Sequence, residues 1–181
     1  MTEIENAGPD PMAELVYEVD DQDAVVRTVR RGELTDKALR HRCVAILFRD
    51  AGGRILVHRR ARVKRVFPQH YDMFVAGMVP AGEEYDAAAR REAAEEIGAH
   101  DVELTTVGKF RYDDAVVPQW TTVYEAVVTG PVVPQESEVE WFTFLTPAEV
   151  ERSLGEWSYC PDSRAFYLHV YLGVPQSSII L

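Results

Sequence analysis

Residues 77–99, GMVPAGEEYDAAARREAAEEIGA, gather Glu83, Glu92, Glu95 and Glu96 around Arg91. On a helix Glu92, Glu95 and Glu96 stand at i, i+3 and i+4, so three carboxylates share one face. Like charges at this spacing repel by roughly a few tenths of a kcal/mol per pair. No trio of basic residues is spaced to answer them. A hard divalent cation with oxygen ligands would remove the repulsion. Mg²⁺ is the first choice, because it takes a few carboxylates, keeps its waters and bridges phosphates. Taken alone, an acidic triple of this kind is more often a solvated helix face. The residues around it decide.

The element that positions them is a helix over Glu84–Ile97, rich in Ala, Glu and Arg, with Gly98 placed as its C-cap. Ala89, Ala93 and Ile97 recur at helical spacing and form a packing stripe on another face. The loop Gly77–Gly82 precedes the helix and is shaped by Pro80. Before it, Leu15–Val19 and Ala24–Val29 read as a hairpin around residues 20–23. Gly32–Arg40 reads as a short helix, and Cys43–Phe48 and Arg54–His58 as strands joined by a turn at 50–53. Arg59–His70 is basic and irregular, and Met73–Val79 is an apolar run. After the helix, Val102–Tyr112, Gln119–Val128 and Val139–Leu145 read as strands, with a Pro-containing connection over 130–138. Thr146-Pro147 opens a helix, and Ser163–Leu172 is a last one. This pattern predicts an α+β fold, an α/β/α sandwich with a mixed β-sheet. Residues 14–181 read as one domain behind a flexible tail, residues 1–13.

The chain has 181 residues, with Lys plus Arg 19 against Asp plus Glu 30 and a net charge of −11. That balance argues against nucleic acid or an anionic membrane as the partner. A small anionic substrate remains compatible if a metal supplies local positive charge. Cys43 and Cys160 stand far apart in no metal spacing, which fits a reducing cytoplasm. No apolar run reaches membrane-spanning length, and the N-terminus lacks the features of a signal peptide. The apolar end, VPQSSIIL, would pack on the body or on a second subunit, leaving a homodimer open.

The spacing resembles the Nudix box, G-x5-E-x7-R-E-U-x-E-E-x-G-U, where U is apolar. Gly77, Glu83, Arg91, Glu92, Glu95, Glu96 and Gly98 fill the fixed positions, and Ala93 and Ala99 the apolar ones. The flanking ILVHRR and WFTFLTPAEV extend the resemblance over about residues 14 to 155. The resemblance implies a Nudix fold with the box as loop-helix-loop. It also implies Mg²⁺- or Mn²⁺-dependent hydrolysis of a nucleoside diphosphate linked to another moiety. By position it makes Glu92, Glu95, Glu96 and the Gly77 carbonyl metal ligands, and Glu83 with Arg91 a bridge between loop and helix. The general base is then Glu92, Glu95 or a glutamate on a later loop, here Glu138. Glu136 and Glu140 beside it read as solvated linker.

The chemistry is coherent on physical grounds. A diphosphate resists hydroxide because it is anionic. Metal ions shield that charge and acidify bound water, and a positioned carboxylate adds about 10²- to 10⁴-fold. Basic residues should hold the phosphates. Within the cluster Arg59, Arg60, Arg62, Lys64 and Arg65, Arg59 and Lys64 are the substrate-binding choices. Phe110, Tyr112 and Trp120 lie on strands, where aromatics are more often core than base-stacking surfaces.

The early hairpin, LRHR and ILVHRR also resemble the isopentenyl diphosphate isomerase branch of the superfamily. Those isomerases carry Cys-Gly-His where this chain has Ala76-Gly77-Met78, and two glutamates where it has Val117 and Gln119. His41 matches one of their metal histidines loosely. An isomerase-like hydrolase therefore fits better than an isomerase. A non-catalytic ligand-binding module of the same fold is the remaining reading. Such modules often lose box glutamates, and none is lost here.

Overall fold

The computed structural model describes residues 10–175. Its elements in chain order are β1 (Leu15–Val19), β2 (Val25–Arg30), α1 (Arg31–Asp36), β3 (His41–Arg49), β4 (Ile55–Arg60), β5 (Tyr71–Asp72), β6 (Val75–Met78), α2 (Tyr85–Ile97), β7 (Thr105–Tyr112), β8 (Gln119–Val127), β9 (Val139–Leu145), α3 (Pro147–Ser153) and α4 (Pro161–Leu172). The main sheet has seven strands in the order β5-β4-β3-β8-β7, with β6 paired to β3 and β9 to β4. β3 runs parallel to β8 from His41↔Gln119 to Arg49↔Val127, and antiparallel to β6. The sheet is mixed, as the sequence pattern predicts.

The near-continuous apolar run of β3 reflects burial on both faces. Val44, Ile46 and Phe48 pack with Ala88, Ala89, Ala93 and Ile97 of α2. Ala45 and Leu47 pack on the opposite side with Val150 of α3 and Ala165, Phe166 and Tyr167 of α4. Small side chains on α2 let its axis approach the sheet closely, and a fully buried Ile or Phe is worth about 1.5–3 kcal/mol. Thr146 caps α3 in a capping box with Glu149.

Three boundaries differ from the sequence reading. α1 ends at Asp36 rather than running to Arg40, because Ala38 adopts a left-handed φ of 48° and the Leu39 amide turns back to the Leu34 carbonyl at 3.0 Å. The apolar run 73–79 is entered by a two-residue strand, β5, before β6 forms. β7 starts at Thr105, since Val102 and Leu104 fold onto the α2 cluster instead of joining the sheet. Within the expected tail, Pro11–Ala13 forms one turn of 3-10 helix capped by the Asp10 side chain. Residues 1–9, and positions 176–181 of the apolar C-terminal end, lie outside the described residues.

The hairpin β1–β2 buttresses the loop before α2. The Ala81 amide donates to the Leu15 carbonyl at 2.8 Å, and Val16 bridges Pro80. The hairpin turn is held in place through Asp23, which accepts from Arg42 Nε at 2.8 Å and from the Tyr85 hydroxyl at 3.2 Å.

Candidate functional site

The site is built where β6 meets α2. Gly77 on β6 stands opposite Val44 of β3. A Cβ at Gly77 would lie 2.0 Å from Glu92 Cδ and 2.1 Å from Oε1. The Glu92 carboxylate thus occupies the space above a strand residue that has no side chain. Gly98 closes the helix at φ 69°, with the left-handed C-cap geometry that favours glycine.

Arg91 organises one end of the carboxylate row. Its guanidinium donates to Glu83 at 3.0 Å, to Glu92 at 2.6 Å and to Glu95 at 3.1 Å, and also to the Met78 carbonyl at 3.3 Å. These contacts join the loop residues Met78 and Glu83 to the helix. Burial raises the Glu92 carboxyl above the usual carboxylate range, with Arg91 opposing.

The other end has no such clamp. Glu96 is only 5% exposed. Burial, with the nearby charges of Glu92 and Glu138, holds its carboxyl well above the usual range. Lys64 and Arg60 act on it only at a distance. Lys64 is ion-paired with Glu138, and the Arg60 guanidinium lies 3.9 Å from Asp72. The loop carrying Glu138 is tied to the helix by the Gln135 amide, which donates to the Glu96 carbonyl at 2.9 Å. Behind this group His58 is buried with its Nδ1 unpartnered, and burial pushes its imidazole down to about 3.

Glu92, Glu95, Glu96, Gly77, Glu138 and Lys64 border one cavity of about 610 Å³. The structure therefore brings these sequence-predicted residues together. Arg59 does not line that cavity. Alternation along β4 places it with Val57, away from α2, and its guanidinium pairs with Glu140 at 2.8 Å. A register shift between Arg59 and Arg60 separates the two arginines, and it is Arg60, with Lys64, that borders the adjoining cavity. Sequence reasoning also missed Arg31, which lines both cavities and pairs with Glu14 at 3.1 Å. No local spacing links Arg31 to the box, because only the buttressing hairpin carries it there.

Among the described residues no group of three His, Cys, Asp or Glu side chains converges as a ready-made cation cage. The reason is visible in the geometry: Arg91 holds the tips of Glu92 and Glu95. The donor set nevertheless suits a hard cation, since it consists of carboxylate oxygens with a buried, charge-crowded Glu96 at its centre. His41 is buried and held by the backbone, on the wall of the adjoining cavity rather than of the one over α2. It is 2% exposed, its Nδ1 lies 3.0 Å from the Leu39 carbonyl, and burial lowers its imidazole to about 4. Tyr112 packs edge-on against Phe166 and Phe110 against His169, while the Trp120 Nε1 donates to the Asp20 carbonyl. Cys43 and Cys160 are both free and buried. No helix among the described residues is long and apolar enough to cross a membrane.

The family model for the NUDIX domain matches residues 39–174. An uncharacterized Nudix hydrolase of Streptomyces coelicolor is 50% identical over 156 residues, covering 85% of this chain and 86% of that protein. One from Pseudomonas aeruginosa is 36% identical, covering 83% and 89%. The crystal structure of DR0079 from Deinococcus radiodurans superposes with a TM-score of 0.77 at 27% identity, covering 87% of this chain and 99% of that one.

Proposed function

The chain belongs to the NUDIX domain family, and on that premise we propose that it is a divalent-metal-dependent hydrolase of a small-molecule diphosphate, a nucleoside diphosphate derivative or a related compound. The observation that carries the proposal is Glu96, a buried carboxylate crowded by Glu92 and Glu138 at the edge of a cavity whose walls also bear Lys64, Arg31 and Arg91. Such a carboxylate is destabilising unless a cation joins it.

Glu92, Glu95, Glu96 and the Gly77 carbonyl would hold Mg²⁺ or Mn²⁺. When bound, the ion shields phosphate charge and acidifies water. The rest of the work falls to side chains of this protein. Lys64 and Arg31 bind phosphate oxygens as point charge and fork. Arg91 fixes the loop to the helix, so that Gly77 and Glu92 keep their registration. Glu138, Glu92 or Glu95 takes the proton of the attacking water. Support for Glu138 in this role is that it lines the same cavity as Glu96 and is paired with Lys64. An isomerase reading lacks its acid/base thiol, since Ala76 stands in that place. Two free cysteines suit a reducing compartment such as the cytoplasm.

The test is phosphate release from a panel of nucleoside di- and triphosphates, sugar nucleotides and coenzyme diphosphates with Mg²⁺ and with Mn²⁺. Hydrolysis that EDTA abolishes and Glu96→Gln removes is the expected result. Wild-type turnover by purified Glu96→Gln would falsify the metal assignment.

A further inference from the structure

Before β1 the chain runs along the junction of the two cavities. Pro11 borders both, Met12 the adjoining one, and Asp10, Ala13 and Glu14 the one over α2. This strap, residues 10–14, is lightly held. None of Pro11, Met12 and Ala13 is buried. Met12 lies over Gly32 of α1, where an added Cβ would come 3.4 Å from the Met12 carbonyl oxygen and 3.6 Å from its Cβ. The Met12 sulfur lies 3.8 Å from the guanidinium of Arg65, which also pairs with Asp36. The hydrogen bonds of the turn close on itself: the Met12 amide donates to the Asp10 carboxylate and the Ala13 amide to the Asp10 carbonyl, both at 2.9 Å. A segment with few buried contacts opens at little cost. Glu14 is its hinge, because the Arg31 amide donates to the Glu14 carbonyl at 2.8 Å beside the β1–β2 ladder.

The Glu14 carboxylate pairs with the Arg31 guanidinium at 3.1 Å, and both side chains are about one-third exposed. Each cation assigned to phosphate is thus engaged by a carboxylate of the chain, Arg31 by Glu14 and Lys64 by Glu138. The two pairs differ in what carries the carboxylate. Glu138 follows a segment tied to α2 through the Gln135 amide, whereas Glu14 stands on the strap. The strap also sets Asp10 and Glu14 on the same cavity wall as the carboxylates of α2, a like-charge arrangement that favours its release. A guanidinium fork accepts a carboxylate and a phosphate in the same geometry.

Resting on the diphosphate reading above, we propose that Glu14 stands in for phosphate at Arg31, and that the strap is an internal competitor which swings off α1 when a diphosphate takes its place. An ion pair this exposed contributes little, so the strap lowers affinity by about three- to fivefold rather than closing the site.

The probe is methylenediphosphonate, a diphosphate analogue with a bridge that water does not cleave, in the presence of Mg²⁺. Calorimetry compares wild-type protein, Glu14→Gln, Arg31→Met and the double variant. Glu14→Gln should bind about three- to fivefold more tightly than wild type, and the gain should vanish when Arg31→Met is already present. A second readout needs no charge variant. The Met12 methyl, carbon-13 labelled and assigned through Met12→Leu, should move to the shift and narrow line of a free methionine when the probe saturates wild-type protein. The methyl of Met73, which is 1% exposed, reports that each protein is folded. Weaker or unchanged binding by Glu14→Gln overturns the proposal, since Glu14 would then hold the ligand or its metal. So does an equal gain in the Arg31→Met background, an unmoved Met12 signal, or a failure of the probe to bind. The two readings fail separately. Metal-dependent hydrolysis of a diphosphate without these responses sinks the strap alone. The affinity gain and the Met12 shift in a protein that hydrolyses no diphosphate sink the hydrolase reading alone.

Discussion

The two ends of the carboxylate row on α2 are balanced in different ways. At one end Glu83, Glu92 and Glu95 share the single guanidinium of Arg91, at distances from 2.6 to 3.1 Å. At the other end Glu96 is buried beside Glu92 and Glu138, while Lys64 is engaged by Glu138. The first arrangement is complete within the chain and stabilises the loop-helix junction. The second is incomplete and stores an electrostatic cost. An internal cation shapes the first end, whereas the second end, short of one, is where the proposed metal ion would enter. Sequence spacing alone makes Glu92, Glu95 and Glu96 look equivalent, and burial separates them.

The largest expected effect is at the incomplete end. Glu96→Gln should lower kcat/KM by about 10³-fold, in the range of lost transition-state charge stabilisation. In EDTA it should nonetheless raise the melting temperature, because it removes a buried charge without a bonded cation. Mg²⁺ should stabilise the wild-type protein by mass action and leave Glu96→Gln nearly unmoved. A melting-temperature series in EDTA and in Mg²⁺ decides this. A lower melting temperature for Glu96→Gln in EDTA would erase the contrast between the two ends.

Next comes the point where the two ends meet the sheet. Gly77→Ala places a Cβ 2.0 Å from Glu92 Cδ. Glu92 must then turn away, and a displacement of about 1 Å at a catalytic group can cost about 10²-fold. Gly130→Ala, which has nothing within 4 Å of its added Cβ, is the control and should leave activity unchanged. Equal activity of the two variants would show that the Glu92 position over Gly77 is irrelevant to turnover.

A smaller effect separates the two cations predicted to hold phosphate. Lys64→Met should raise KM about tenfold, by removing a point charge from the cavity wall. Arg59→Met should leave KM unchanged, since Arg59 pairs with Glu140 outside the cavity. Steady-state kinetics of both variants on one substrate tests this, and a KM defect in Arg59→Met alone would reverse the assignment.

That pair of residues also shows what the sequence could and could not disclose. Helix α2, its alanine stripe and its Gly98 cap follow from local periodicity and backbone preference, which act over a few residues. Gly77 and the four glutamates were legible because one loop-helix-loop unit fixes their separation. That Lys64 borders the cavity while Arg59 turns away depends on which face of β4 meets α2 and on the path of the loop after β4, neither of which local sequence encodes. Arg31 and Asp162 reach the cavities through a hairpin and a terminal helix far along the chain. Their placement depends on tertiary packing, so no spacing rule could have selected them.

The smallest effect extends the contrast to the opposite side of the sheet. Asp162 has a neutral amide as its bonded side-chain partner, and burial, with the charge of Asp72, raises its carboxyl from 3.8 to about 6. A carboxyl raised on folding binds protons more tightly in the folded state. Its folding free energy is therefore least unfavourable below about pH 4, and stability is lost as pH rises from there to about 6. Partial exposure of Asp162 trims the change to about 1–2 kcal/mol. Asp162→Asn should flatten this part of a stability-against-pH curve measured by chemical denaturation. Glu33 offers the balanced counterpart, because its bonds to Lys37 and Arg27 hold its carboxyl below the usual range. Glu33→Gln should leave the decline between pH 4 and 6 in place. If Asp162→Asn retains the wild-type slope and Glu33→Gln loses it, the unpaired carboxylate is not the source of the pH dependence, and the difference between paired and unpaired carboxylates drawn from α2 does not carry across the sheet.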